Sequence, residues 1–267
     1  DIAMGPDGFL YVVSMYNKHL YKVSIPSSGS TPTSMTDLGD STSSLTCING
    51  VGRPFAVKPW RGMVYVGVVC DGSGDADVAD QGNSDIHLTA NIVKIDPRAG
   101  TPTFSTFVGG IALGAPGWVA TKGSAGVWLP SGQESMWWPW SNTIDGRYYV
   151  DGGGGHYTTV RPTPMLSEIE FDRDGSLILG FRDRTGDQFN GGEGYDGPGG
   201  WWTPAALGTG DIMRVCRTGS GYTSSDYSVQ GGTNCPTSHS NGNGTPEFYA
   251  DTWRGWHDET GDGYLLQ

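Results

Sequence analysis

Basic residues are scarce in this chain. Only 16 Lys and Arg stand against 28 Asp and Glu, a formal net charge of −12 over 267 residues. A protein that grips a nucleic-acid backbone needs a basic stripe to displace counterions, so this balance excludes nucleic acid as a partner. Long apolar runs are missing too, and no stretch approaches the roughly 20 residues that cross a bilayer as a helix. Four cysteines, Cys47, Cys70, Cys216 and Cys235, are too widely spaced for a zinc knuckle, and none belongs to a Cys-x-x-Cys pair. Hydrolytic machinery is absent as well. There is no Gly-x-Ser-x-Gly elbow, the five histidines show no His-x-x-x-His spacing, and the four glycines 152–155 lack the Lys-Ser/Thr of a phosphate loop. Residue His156, directly after those glycines, is a candidate for close approach to a ligand, weighed against an ordinary loop histidine.

What the chain does have is glycine and aromatic area. With 44 Gly, 16 Pro and 16% charged residues, the composition describes many short strands joined by tight turns. Its 10 Trp, 12 Tyr and 8 Phe provide enough apolar surface to exclude disorder. A two-part module recurs three times. Its first half is an apolar triplet, a Gly-centred turn and an apolar run: Ile2-Ala3-Met4 with Gly8-Phe9-Leu10-Tyr11-Val12, Phe55-Ala56-Val57 with Gly62-Met63-Val64-Tyr65-Val66, and Ile169-Glu170-Phe171 with Gly175-Ser176-Leu177-Ile178-Leu179. The second half is an apolar and basic strand: Leu20-Tyr21-Lys22-Val23, Ile92-Val93-Lys94-Ile95 and Ile212-Met213-Arg214-Val215. Each copy reads as a four-stranded antiparallel sheet, and serial sheets of that kind are blades of a β-propeller. Asp145-Gly146 before Tyr148-Tyr149-Val150 is expected to open a further blade. The expected fold is therefore all-β, a β-propeller of four or more antiparallel blades, with an incomplete six-bladed ring as one form of it. Residues 1–267 are expected to be a single propeller domain cut from a longer chain, its terminal blade edge completed by further sequence or by another chain.

The links between strands point to a binding face. The link between second and third strands is short in the first copy (14–18) and long in the second (71–90) and third (183–209). In an up-and-down blade these links and the inter-blade connections leave from one rim, and insertions gathered there mark a binding face. The acidic stretch with Asp71, Asp75, Asp77, Asp80 and Asp85 offers hard oxygen ligands in a flexible loop, so Ca²⁺ is the expected ion, against a solvated acidic loop as the alternative. Asp258, Thr260 and Asp262 match the first, third and fifth positions of a calcium loop and form a second candidate. Trp137, Trp138, Trp140, Trp201 and Trp202 are candidate ligand anchors, because indole faces stack on sugars and on partner side chains. Packing between blades is the competing role, and at least half of the tryptophans are expected to fill it. Four cysteines allow three pairings. Local pairing, Cys47 with Cys70 and Cys216 with Cys235, is the preferred one against four buried thiols, and it implies an oxidising, extracellular setting.

The stretch from Ile2 through Gly8 to Val12, followed by Leu20-Tyr21-Lys22-Val23, resembles the repeat of NHL and gluconolactonase-like propellers. Arg53-Pro54-Phe55-Ala56-Val57-Lys58, the run Val64 to Cys70, and Leu166 to Asp172 with Gly175 to Gln188 resemble the propeller region of large secreted bacterial surface proteins that also carry SdrD-B-like repeats. The second resemblance implies a cell-surface or extracellular module that binds, adheres or assembles without catalysis, its partners being other surface protein chains or extracellular glycans. The first implies the alternative, a metal-dependent sugar lactonase or sugar dehydrogenase. A lectin-like propeller using the tryptophan loops is the third possibility.

Overall fold

A computed structural model of the chain describes residues 1–26, 31–32, 34–75, 87–113, 137–141, 163–184, 210–229 and 234–235, and the backbone alone at 148–150, 157–159, 205–206, 239–240 and 246–247. The described residues are all-β apart from isolated helical turns. Strands β1 (Ile2–Met4), β2 (Phe9–Val13), β3 (His19–Ser24) and β4 (Met35–Asp40) form the first sheet in chain order, every pair antiparallel. The second sheet repeats this order with β5 (Gly52–Trp60), β6 (Met63–Cys70), β7 (Thr89–Ile95) and β8 (Ser105–Ala112). After β9 (Tyr148–Val150) and β10 (Tyr157–Thr159) come β11 (Pro164–Phe171) and β12 (Leu177–Asp183). The two-residue β13 (Ala205–Ala206) then precedes β14 (Gly210–Arg217) and β15 (Tyr227–Val229). Strands β11, β12, β14 and β15 make the third four-stranded antiparallel sheet.

Local chemistry explains these meanders. The β5–β6 turn places Arg61 at φ 47° and Gly62 at φ 76°, the pair of positive values that a tight two-residue hairpin requires. Gly175 turns β11 into β12 at φ 86°. Both Pro54 and Pro59 lie in β5, which tolerates them because it is an edge of its sheet.

The sheets stack face to face in chain order. Val57, Val64, Val66, Val68, Val93 and Ile95 of the second sheet pack against Tyr11, Val13, Leu20 and Leu38 of the first. The opposite face, with Ala56, Tyr65, Val69 and Ile92, packs against Leu166, Ile169, Leu177, Leu179, Met213 and Val215 of the third. Because the second sheet is covered on both sides, β6 reads as an unbroken apolar run rather than an alternation. First strands carry the closest contacts between sheets, β1 with β5 and β5 with β11. Gly67 makes one of these approaches possible, since a Cβ there would stand 2.7 Å from Leu166 Cγ and Cδ2. We expect Gly67→Ala to cost about 1–3 kcal/mol, the usual range for overpacking a filled core. A shift in urea midpoint measures it, and an unchanged midpoint would mean that Leu166 moves aside freely.

One expectation is corrected. A strand does follow Asp145-Gly146, but its sheet has the order β13-β10-β9, with three described strands, and β10 runs parallel to β13. A parallel pair needs a crossover connection, so this sheet does not repeat the other three. A final antiparallel pair joins β16 (His239–Ser240) to β17 (Pro246–Glu247).

Candidate functional site

Sequence position alone separates Asn49, Asp71, His87, Trp140 and Thr163, but the meander order brings the ends of β4, β6 and β8 and the starts of β5, β7 and β11 to one rim. The amide of Asp71 donates to the Val51 carbonyl (3.0 Å), and the amide of Gly74 to the Asn49 carbonyl. The Trp140 amide donates to the Asp71 carbonyl (2.9 Å), and the Leu113 amide to the Leu88 carbonyl (2.9 Å). The Thr163 amide donates to Asp183 Oδ1 (2.9 Å). Three connecting segments, 41–51, 71–88 and 137–141, thus meet where the long links were expected to gather.

Asp71 is the hub of this rim. Its side chain is fully buried and accepts hydrogen bonds from the Val51 amide (2.9 Å), the Ser73 amide (3.1 Å) and Arg53 Nε (2.7 Å). The Arg53 guanidinium in turn lies over the Trp140 ring at 5.1 Å, and that of Arg184 over the same ring at 4.6 Å. The indole N–H of Trp140 donates to the Pro164 carbonyl at 2.9 Å. Cation–π contacts of this kind strengthen when desolvated, so the arrangement locks the start of β11 to the end of β6.

Asp75, almost fully buried, is the second anchor. It accepts from the Asn49 side chain (2.8 Å), the His87 amide (2.8 Å) and His87 Nδ1 (3.1 Å). Burial pushes this carboxyl up, but the bonds from the His87 amide, Asn49 and the His87 ring outweigh it and hold the group below the usual aspartate range. A carboxylate with a depressed pKa contributes stability that is complete above its unfolded value, about 3.9, and is lost as pH falls through the lower folded value. Wild type should therefore exceed Asp75→Asn in urea midpoint at neutral pH, with the gap closing in acid. A gap that stays constant down to the acid limb would contradict this assignment.

The disulfides Cys47–Cys70 and Cys216–Cys235 are both formed, in the expected local pairing, with Cα atoms 5.2 and 5.3 Å apart. The first fastens the loop before β5 to the end of β6, directly beneath Asp71.

Of the candidate ion ligands, Asp71 and Asp75 are on this rim with their oxygens already engaged by protein donors. Asp77, Asp80, Asp258, Thr260 and Asp262 lie outside the described residues, as do His156, Trp201 and Trp202. Among the described residues no three His, Cys, Asp or Glu side chains are grouped as metal ligands. Trp137, Trp138 and Trp140 are all buried, at 0%, 4% and 6% exposure. Trp137 belongs to the core between the second and third sheets, with its ring 6.3 Å from Phe181. These indoles face the protein itself. What the rim exposes instead is Ile48 and Val51, on the loop held by Cys47–Cys70. Two isolated aliphatics in a turn-rich segment carry no periodic signal, which is why the sequence does not announce them.

A further aromatic group went unread in the sequence. At the opposite rim Trp60 stacks on Phe171 with centroids 3.9 Å apart, and Tyr65, Phe107, Tyr222 and Tyr227 extend the contact edge to face. The phenol of Tyr65, buried in this group, is pushed up to about 12, so it stays neutral at physiological pH.

No protein-family model matches the chain, and no curated protein matches it as a relative.

Proposed function

We propose that the chain is a β-propeller module of a bacterial extracellular or cell-surface protein, and that it binds protein or glycan partners without catalysing a reaction. One observation supports the architecture above the rest. Three like meanders follow one another face to face with their first strands adjacent, as successive blades do around an axis. Two disulfides suit an oxidising exterior, and among the described residues no helix is long and apolar enough to cross a membrane.

The binding face in this reading is the rim built on Asp71 and Asp75, because its loops come from four different strand ends held in fixed register. Binding to surface proteins or glycans from a bacterial envelope should fall at least several-fold in Ile48→Ala and Val51→Ala, while melting temperature is unchanged. Calcium belongs to the proposal as the ion of the 71–85 stretch, and equal melting temperatures with calcium and with chelator would remove it. Metal-dependent turnover of sugar lactones, lost on changing a single carboxylate, would replace the binding reading by the enzyme one.

A further inference from the structure

The repeat assigns each sheet two distinct faces, and one of them is left open. By alignment of the modules, Leu10, Val12, Tyr21 and Val23 of the first sheet correspond to Val64, Val66, Val93 and Ile95 of the second and to Leu177, Leu179, Met213 and Val215 of the third. In the second and third sheets these positions are buried against the preceding sheet. In the first they are only half-buried. The register sets them side by side with more exposed neighbours: Ile2 opposite Val12, Met4 opposite Leu10, and Met35 opposite Val23. Ile2, Met4 and Met35 are 56%, 58% and 67% exposed.

The result is a four-strand-wide aliphatic face, roughly 15 Å across at the usual strand spacing. A contiguous apolar patch of this kind marks an interaction surface rather than ordinary exposure. Whatever covers it must be flat and aliphatic, as the sheets covering the equivalent faces are. The outer face of the third sheet does not qualify, because alternation along β11, β12 and β14 places Glu168, Arg182 and Arg214 there. The face of the first sheet is complementary to itself.

We propose that this face is the contact between two copies of the chain, packed sheet on sheet about a twofold axis. Such a contact is isologous and closes at two copies, with the sheets about 10 Å apart as in a β-sandwich. Its extent falls short of the about 800 Å² per partner of a tight complex, so a reversible, micromolar dimer is expected. The inference goes beyond the binding reading above and stands without it, since it rests on the first sheet alone.

Sedimentation equilibrium of the 267-residue chain tests it, run from sub-micromolar to hundreds of micromolar concentration. The expected result is a monomer–dimer equilibrium that Met4→Asp and Met35→Asp each weaken at least tenfold, while Arg173→Asp, on an exposed turn of the third sheet, leaves it unchanged. Both methionines are already largely in water, so each variant should melt at the wild-type temperature, which separates loss of association from loss of fold. A chain that stays monomeric throughout overturns the proposal. So does a dimer that both aspartate variants retain. Binding of an apolar dye to a monomer, abolished by Met35→Asp, would also overturn it and assign the face to a different covering sheet.

Discussion

Replacing Asp71 with alanine is expected to destabilise the protein by about 3 kcal/mol or more, the lower part of the 3–5 kcal/mol range for breaking a buried ion pair. The lower part applies because Arg53 keeps 30% side-chain exposure and can rehydrate, whereas Asp71 has none. The loss has three components. Arg53 is deprived of its acceptor, the Val51 and Ser73 amides lose theirs, and the platform on which Arg53 meets Trp140 is loosened. Urea unfolding of the oxidised protein measures the effect. A change of less than about 1 kcal/mol, the median worth of a surface pair, would show that Asp71 is not the hub described. Arg53→Lys provides a finer probe. It keeps the charge but not the planar group that lies over the indole, so it should fall between wild type and Asp71→Ala.

Removing the Cys47–Cys70 bridge by a double serine substitution should cost about 3 kcal/mol, the chain-entropy value for a loop of this size, given a sequence separation of 23. The Cys216–Cys235 bridge, with a separation of 19, should be worth nearly as much on the same scale. The two are not equivalent in position. Cys70 is the last residue of β6 and Asp71 follows it, so the bridge and the carboxylate hold the same junction. Changes at one junction share partners and do not add. The triple variant Cys47→Ser, Cys70→Ser, Asp71→Ala should therefore lose less than the sum of its parts, whereas combining Asp71→Ala with loss of the distant Cys216–Cys235 bridge should come close to the sum. Equal additivity in the two cases would show that the bridge and the carboxylate act independently.

Much of the strand framework is legible in the residues because its causes are local. Alternation in Phe9–Val13, the continuous apolar run of Met63–Cys70 and the glycine turns at positions 8, 62 and 175 each depend on a few neighbouring residues. The structure has strands in all three modules with those turns at positive φ. The local disulfide pairing follows for the same reason, since each cysteine pair sits at the two ends of one short excursion. The fourth strands are another matter. Met35–Asp40 holds one buried residue in six, and Tyr227–Val229 has only three residues. Edge strands of this kind owe their conformation to the ladder they join rather than to their own pattern.

The roles of the loop residues were set at longer range still. Nothing in the spacing of Trp137, Trp138 and Trp140 says whether an indole meets solvent or core, because that depends on where β11 and β6 bring their ends. A run of aspartates looks like a cation site when read along the chain. In three dimensions Asp71 and Asp75 meet Arg53, Asn49 and His87, donors that lie between 12 and 26 residues away. The same holds for the open face of the first sheet. The sequence determined that Leu10, Val12, Tyr21 and Val23 share a side, since strand side chains alternate with a period of two. Only the stacking of sheets decided which such sides are covered, because burial is a property of what packs across about 10 Å of core and not of the strand itself.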